Sequence, residues 1–258
     1  ASFFKSGGHS LSVLLQTVPS SLTRVAPQFW ADSYMKTILG KIETQPHMVD
    51  RTGFKALLNF DATGDLICFP QAALVLDSGP LKHFYDQVLL TLENLEPWFL
   101  LLDPPYFEST RELSDWLKGF ESSASAVYFP WISLEGIGFL PPSPVISAQI
   151  QLSDKAHTIA DAPANYKIHP SVFPLKELSP SELQSRDFDS RINFIRRLPN
   201  RDLTLWGCYT LSRNQDHPHS QLIHISRTLR SIKDAVIRIA EPFIFEPRTQ
   251  DTCERIEE

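Results

Sequence analysis

Residues 203–247 read LTLWGCYTLSRNQDHPHSQLIHISRTLRSIKDAVIRIAEPFIFEP, and this stretch decides the fold. Each end is a short apolar run; Trp206-Gly207 closes the first and Glu246-Pro247 closes the second. Short apolar runs bounded by turn residues predict strands, and apolar residues recurring every three or four positions predict a helix. The stretch is therefore predicted to fold as a β-α-β-like unit.

The helix of this unit is predicted to have two different faces. Its apolar residues are spaced alternately three and four apart, which places them in one stripe suited to a core: Leu222, Ile225, Leu229, Ile232, Val236 and Ile239. The opposite face carries charged side chains and is expected to be wet; these are Arg227, Arg230, Lys233 and Asp234.

Apolar strands and amphipathic helices also alternate through the middle of the chain. Strands are predicted at residues 66–69, 98–102 and 126–129, with helices at 81–95 and 109–120 between them. This alternation favours an α/β fold with a largely parallel mixed sheet and flanking helices. Elsewhere the pattern predicts strands at 11–18 and 192–195, helical segments at 31–39 and 145–152, and a helix start with Ser143 as N-cap and Pro144 first in the helix.

Composition excludes several classes of protein. The 258 residues are 42% hydrophobic and 21% charged, which is typical of a globular protein and excludes a wholly disordered chain. The formal net charge of −6 argues against nucleic-acid binding, which usually needs a concentrated basic stripe. The nearest approach to such a stripe is Arg196, Arg197 and Arg201, which is interpreted as a solvated edge or a protein-contact patch. No apolar run reaches the length of about 20 residues that a membrane-spanning helix needs.

The candidates for chemistry are few and scattered. The three cysteines, Cys68, Cys208 and Cys253, are too far apart for a disulfide framework or a Cys-x-x-Cys zinc site and are interpreted as reduced thiols. The most metal-like cluster is His217, His219 and His224, but its first two members flank a proline in a polar loop, which favours a solvated loop. Asp103 at a strand end is the best lone candidate for a general acid or base, and a loop cap before Pro104 is the preferred interpretation.

The sequence also lacks the motifs of a nucleotide-binding or phosphate-binding loop. Gly207 lacks the further glycines of a dinucleotide-binding loop, and no Gly-Lys-Ser or Gly-Lys-Thr loop occurs. No catalytic residue, cofactor site or metal site is therefore predicted.

Short motifs spread along most of the chain resemble a known family. In order and spacing they are similar to the sheath protein of contractile phage tails and related injection particles. These motifs, called the signature residues below, are Phe3, Phe4, Gly7 and Gly8; Pro130 and Trp131; Pro141, Pro142 and Ser143; Pro163, Ala164 and Asn165; Trp206 and Gly207; and Phe245, Glu246 and Pro247. Residues 192–196 and 210–212 also match the family in this order.

The chain also departs from the family pattern. Asn200-Arg201-Asp202 stands where the family usually has Gly-Arg-Gly, and Cys208-Tyr209 stands where it tends to have Ala-Arg. The resemblance implies a division into an N-terminal part at 1–50, the α/β sheath core at 51–247, and the start of a C-terminal segment at 248–258. It also implies that terminal arms of the family are missing at both ends.

The resemblance implies a mechanical role without catalysis or a cofactor. Subunits are expected to form stacked hexameric rings around an inner tube protein, linked by arms that add strands to neighbouring sheets, and to meet baseplate and terminator proteins. The expected location is a virion tail or contractile particle assembled in the bacterial cytoplasm, with no nucleic-acid partner and no membrane insertion. On this interpretation Arg227, Arg230 and Lys233 are candidates for contact with neighbouring subunits or the tube.

Two alternatives remain open at this point. One is an α/β enzyme that uses the strand ends near Asp103 and the loop at His217. The other is a sheath-like tail terminator or ring protein with the same core.

Overall fold

The computed structural model describes residues 35, 38–40, 42–45, 48–51, 54, 66–93, 97–179, 182, 191–198, 202–215, 217–247, 249–250 and 254–255. The predicted strand at 11–18 and the signature residues Phe3, Phe4, Gly7 and Gly8 lie outside the described residues, as does most of the predicted helix at 31–39. The first described strands, β1 (Ile42–Gln45) and β2 (Met48–Arg51), pair antiparallel.

A five-stranded mixed sheet forms the centre of the fold. Its strands are β3 (Leu66–Cys68), β4 (Phe99–Leu102), β5 (Ser125–Phe129), β9 (Ile192–Arg197) and β10 (Leu203–Trp206). They lie in the order β10-β9-β5-β4-β3; the last four are parallel, and β10 is antiparallel to β9. The predicted α/β class, with a largely parallel mixed sheet, is confirmed.

Among the described residues, five helices and a second sheet surround this centre. The helices are α1 (Pro70–Val75), α2 (Ser78–Leu92), α3 (Thr110–Leu117), α4 (Ser143–Ala156) and α5 (Ile223–Ala240), with 3-10 turns at Pro218–Gln221 and Glu241–Phe243. The second sheet is antiparallel, with the order β7-β6-β8, formed by β6 (Ile132–Leu134), β7 (Gly138–Leu140) and β8 (Val172–Pro174). Within the described residues, no helix is both long enough and apolar enough to cross a membrane.

Strand β4 shows why the sheet is covered on both faces. All four of its residues are buried, and successive side chains point to opposite faces of a strand. Leu100 and Leu102 join the core that contains α2 and α3, while Phe99 and Leu101 join the core that contains α4 and the second sheet. A strand buried on both faces is continuously apolar, as the sequence of β4 predicted.

Helix α3 begins where its sequence predicts. The Ser109 hydroxyl accepts a hydrogen bond from the Glu112 N–H at 3.2 Å, and the Glu112 carboxylate accepts one from the Ser109 N–H at 3.1 Å. This reciprocal capping box satisfies two backbone donors that the first helical turn leaves unpaired. Leu113, Trp116 and Leu117 are then buried against the sheet.

Other boundaries differ from the prediction. Pro70, directly after the strand predicted at 66–69, begins α1, a helix that the sequence pattern did not predict, because proline fits the first turn of a helix. Helix α4 includes Ser143 and has Pro142 as its N-cap, one residue before the predicted cap.

The predicted second strand of the β-α-β-like unit is wrong. The chain after α5 forms the 3-10 turn Glu241–Phe243, so its apolar residues are not paired in a sheet.

Candidate functional site

Asp103, the best lone acid–base candidate, is completely enclosed. It lies at the end of β4 with no solvent exposure, and its carboxylate accepts hydrogen bonds from the Ser143 hydroxyl and from the Ser143 N–H, the latter at 3.0 Å. Burial raises the pKa of Asp103 to about 7, although the bonds from Ser143 act in the opposite direction. The side chain thus holds the start of α4 rather than capping its own loop, and it has no access to a substrate.

The other chemical candidates are not brought together. Burial raises the pKa of the Cys68 thiol to about 12, and the nearby Asp103 adds to the shift, so this cysteine is a poor nucleophile. Burial also raises the pKa of Cys208 and lowers that of His224. His217 and His219 are exposed, and in the part of the chain that the structure describes no three metal-ligating side chains converge.

The signature residues near the end of β5 organise the carboxyl ends of the strands. The Phe129–Pro130 peptide bond is cis, and the buried Trp131 follows it. The Trp131 indole N–H donates to the Pro104 carbonyl at 3.0 Å, and the Trp131 carbonyl accepts from the Leu175 N–H at 2.9 Å. Trp131 therefore joins the loop after β4 to the second sheet, which is a structural role.

The signature around Asn165 covers an edge of the central sheet. Asn165 has a backbone φ of 63°, a left-handed conformation that asparagine tolerates better than most residues. Its N–H donates to the Leu205 carbonyl at 2.7 Å, and the Ile168 N–H donates to the Leu203 carbonyl at 2.8 Å. Residues 165–168 thus occupy the outer edge of β10, where an incoming strand would otherwise pair.

A buried asparagine in β9 explains the glycine of the signature Trp206-Gly207. Gly207 has a φ of 107°, and a Cβ atom at this position would lie 2.7 Å from the Asn193 Oδ1 atom. Asn193 is completely buried; its Oδ1 accepts from the Tyr209 N–H at 2.8 Å, and its Nδ2 donates to the carbonyls of Val127 at 3.0 Å and Tyr209 at 2.8 Å. Only glycine lets the chain pass this close to the side chain that links β5 to the segment after β10.

Helix α5 is oriented opposite to the prediction. Four of the six stripe residues are exposed, with exposed fractions between 49% and 58%: Leu229, Ile232, Val236 and Ile239. Arg227 and Arg230, predicted to be wet, are only 1% and 7% exposed. The prediction is therefore wrong for these six residues, whereas Lys233 is exposed as predicted and Leu222 and Ile225 are half-buried.

The two buried arginines attach α5 to both layers of helices. The Arg227 guanidinium makes a two-pronged ion pair with Asp154 of α4, with N–O distances of 2.7 and 3.1 Å. Arg230 donates to the carbonyl of Leu92 at 2.8 Å and to that of Trp98 at 2.9 Å. Leu92 is the last residue of α2, whose terminal carbonyls lack helical donors and attract a positive charge. These attachments hold the first half of α5 in this orientation.

This geometry corrects two of the three predicted contact residues. The guanidinium groups of Arg227 and Arg230 are used inside the subunit, because they bond to α4, α2 and the start of β4. Lys233 is exposed and remains a candidate contact residue.

The second half of α5 projects beyond the rest of the described fold. Every residue from 235 to 240 is exposed, so the helix has no buried side there. After the helix, Ile244 and Phe245 are 66% and 98% exposed. Large apolar side chains grouped in this way mark an interaction surface.

Comparison with solved structures confirms the resemblance at the level of the fold. The chain is similar to the sheath complex of the extracellular contractile injection system PVC in its contracted state, with 24% identity and a TM-score of 0.58 over 68% of this chain and 49% of that chain. It is similar to a chain in the contracted baseplate of the anti-feeding prophage (AFP), with 22% identity and a TM-score of 0.59 over 67% of this chain and 50% of that chain. The AFP helical sheath in its contracted state gives 23% identity and a TM-score of 0.55 over 70% of this chain and 48% of that chain.

The chain thus spans about half the length of these structures. No family model and no curated protein sequence matches it. The fold is that of contractile sheath structures.

Proposed function

We propose that this chain is a structural subunit of a contractile sheath that surrounds an inner tube and drives it through a target envelope. The observation that carries the proposal is the apolar surface of α5, which is left exposed on a fold similar to that of sheath structures. Such a surface is stable in water mainly when another protein covers it. In a repeating assembly, a neighbouring copy would bury this surface in every subunit except those at the ends.

The proposed role is mechanical. Contraction moves whole subunits as rigid bodies, and its free energy comes from burying additional surface between them. Asp103 and Trp131 connect the carboxyl ends of the strands to neighbouring elements, and Arg227 and Arg230 anchor α5. These connections are expected to keep the subunit rigid while it moves. No catalysis and no cofactor is proposed, and the enclosure of Asp103 argues against the alternative of an enzyme acting at that strand end.

The proposed partners are copies of the chain in stacked hexameric rings, the inner tube protein, and baseplate and terminator proteins. Lys233 is the proposed contact residue that remains accessible on the charged side of α5. Residues 165–168 occupy the β10 edge of the sheet, so an arm from a neighbour is proposed to add a strand at β3, which has no outer strand partner among the described residues.

The division into 1–50, 51–247 and 248–258 is also part of the proposal, as is the location in a virion tail or contractile particle assembled in the bacterial cytoplasm. Neither nucleic acid nor a membrane is proposed as a partner.

Negative-stain electron microscopy of the purified full-length protein tests this function. The expected result is tubes or stacked rings whose amount increases with protein concentration. A single hexameric ring that never stacks would instead support a tail terminator. A monodisperse monomer that persists at high concentration would contradict both.

A further inference from the structure

A polar cluster is enclosed where the carboxyl ends of β3 and β4 meet the start of α4. Asp103 directly follows β4 and has no solvent exposure. Ser143 is the first residue of α4 and is buried as well. Cys68 is the last residue of β3 and packs against the core that contains α4. These three side chains lie at the contact between the central sheet and the start of this helix.

Within the described residues, both hydrogen bonds to the Asp103 carboxyl come from Ser143. The Ser143 N–H donates to one carboxyl oxygen at 3.0 Å, and the Ser143 hydroxyl is bonded to the other oxygen. An ionised carboxylate has about four sites for hydrogen-bond donors, so about two of them lack a donor in this enclosed position. A neutral carboxyl needs fewer donors, and its own O–H can donate to the Ser143 hydroxyl. The closed arrangement therefore suits the neutral carboxyl better than the carboxylate.

The surroundings of Asp103 supply no compensating positive side chain among the described residues. On α2, the Tyr85 hydroxyl accepts a hydrogen bond from the Asp103 N–H at 3.1 Å. On β3, the thiol of Cys68 faces the carboxyl, because Asp103 raises the pKa of that thiol. Helix α4 has no charged residue before Asp154, so only its backbone amino end favours a negative charge. Burial outweighs this effect and raises the pKa of Asp103 to about 7.

The two sides of this contact are held to different degrees. Asp103 follows a strand that is buried on both faces and paired with β3 on one edge and β5 on the other. The start of α4 instead follows β7, an edge strand of the second sheet whose residues Gly138 and Phe139 are exposed. Segments next to exposed edges open at lower free energy than core strands. Water therefore reaches the carboxyl more easily by movement of the start of α4 than by movement of β4.

We propose that Asp103 is a pH-sensitive switch that controls how often the start of α4 opens away from the central sheet. The neutral carboxyl keeps the helix start closed. Loss of its proton leaves a charge that water solvates better than the closed site does, so ionisation favours opening. Near its other end, α4 binds Arg227 of α5 through Asp154, so the switch acts on the helix that links the strand ends to α5. The inference concerns the folded subunit and does not depend on the proposed function.

Hydrogen–deuterium exchange of the full-length protein measures the opening. The amides of residues 145–148 lie in the first turns of α4, and those of Val145 and Ile146 donate to the Pro142 carbonyl. After correction for the intrinsic effect of pH on exchange, their opening is expected to increase about tenfold for each pH unit up to about pH 7 and then to level off, because opening releases one proton. The amides of β4 at 100–102 report global unfolding and are expected to exchange more slowly at every pH.

Two substitutions isolate the switch. Asp103→Asn cannot ionise, so the opening of 145–148 is expected to lose its pH dependence. Ser143→Ala removes a bond that lowers the pKa of Asp103, so its opening is expected to level off at a higher pH than that of the wild type. Asp115→Asn is the matched control, because Asp115 is an exposed carboxylate of α3, and it should retain the wild-type profile. If Asp103→Asn does not fold, the wild-type profile and the shift in Ser143→Ala decide the question.

Any of four results would overturn the inference. The first is wild-type opening of 145–148 that does not change between pH 4.5 and 7. The second is the same pH dependence in the wild type and Asp103→Asn, and the third is a Ser143→Ala profile that levels off at the wild-type pH. The fourth is exchange of 145–148 at the rate of β4 at every pH, which would show that the helix start opens only when the whole fold unfolds.

Discussion

Replacing Arg230 with alanine is expected to lower the free energy of unfolding by about 3 kcal/mol. The guanidinium donates to the carbonyls of Leu92 and Trp98, and it is only 7% exposed. Its removal leaves two sheltered carbonyls without these donors and opens a gap beneath α5; each unsatisfied acceptor costs about 1–3 kcal/mol. Urea unfolding monitored by circular dichroism measures the change.

Arg238→Ala is the matched control for this prediction. Arg238 lies on the same helix, but it is 49% exposed and pairs with Asp234 across one helical turn. Pairs of this kind contribute about 0.3–0.5 kcal/mol, so the control is expected to remain close to the wild type. Equal destabilisation by the two substitutions would show that Arg230 is not an anchor and that α5 is held in another way.

Asp103 is expected to make the protein less stable as the pH rises. Its folded-state pKa of about 7 is above the ordinary value of 3.8, so between these values the folded state binds more protons than the unfolded state. Stability from the protonated carboxyl is therefore complete below about pH 4 and is lost as the pH rises through about 7. At 1.36 kcal/mol for each pKa unit, the change is on the order of 4 kcal/mol.

The Asp103→Asn variant isolates this effect. Asparagine keeps an oxygen for the Ser143 N–H and offers its amide to the Ser143 hydroxyl, but it cannot ionise. Unfolding free energies measured from pH 4.5 to 8 are expected to fall more steeply for the wild type than for Asp103→Asn. The comparison must be between the two proteins, because the lowered pKa of His224 contributes a slope of opposite sign.

Asp115→Asn provides the control, since Asp115 is a solvent-exposed carboxylate of α3 that pairs with Lys118. It should retain the steeper pH dependence of the wild type. Identical slopes for the wild type and Asp103→Asn would show that Asp103 is already ionised or solvated in the folded state.

The central sheet could be predicted from the sequence because its signals are local. Strand β4 is a continuous apolar run, and α3 begins with Ser109 and Glu112 at the spacing of a capping box. The strand order and the antiparallel edge β10 have no comparable local signal, because pairing depends on residues far apart in the chain. Asn193 was overlooked for the same reason, since its partners Val127 and Tyr209 are distant in sequence.

Helix α5 shows where periodicity fails. The spacing of its apolar residues identified one stripe correctly, but periodicity cannot say whether another part of the same subunit covers that stripe. The sequence predicted Arg227 and Arg230 to be exposed because their partners lie on other elements. Arg227 pairs with Asp154, and Arg230 donates to the backbone carbonyls of Leu92 and Trp98. Two arginines one turn apart on a helix, with apolar neighbours on the opposite side, are compatible with either orientation.

Hydrogen–deuterium exchange of α5 in the dilute and assembled protein tests the central claim most directly. The apolar side of the projecting half of this helix is uncovered within a subunit, and a neighbour is proposed to cover it. Amides of residues 231–240 are expected to exchange rapidly at low concentration and to become protected on assembly, whereas those of 226–230 are protected in both states. Protection of 231–240 that is equal in dilute monomer and in assembled protein would contradict the account.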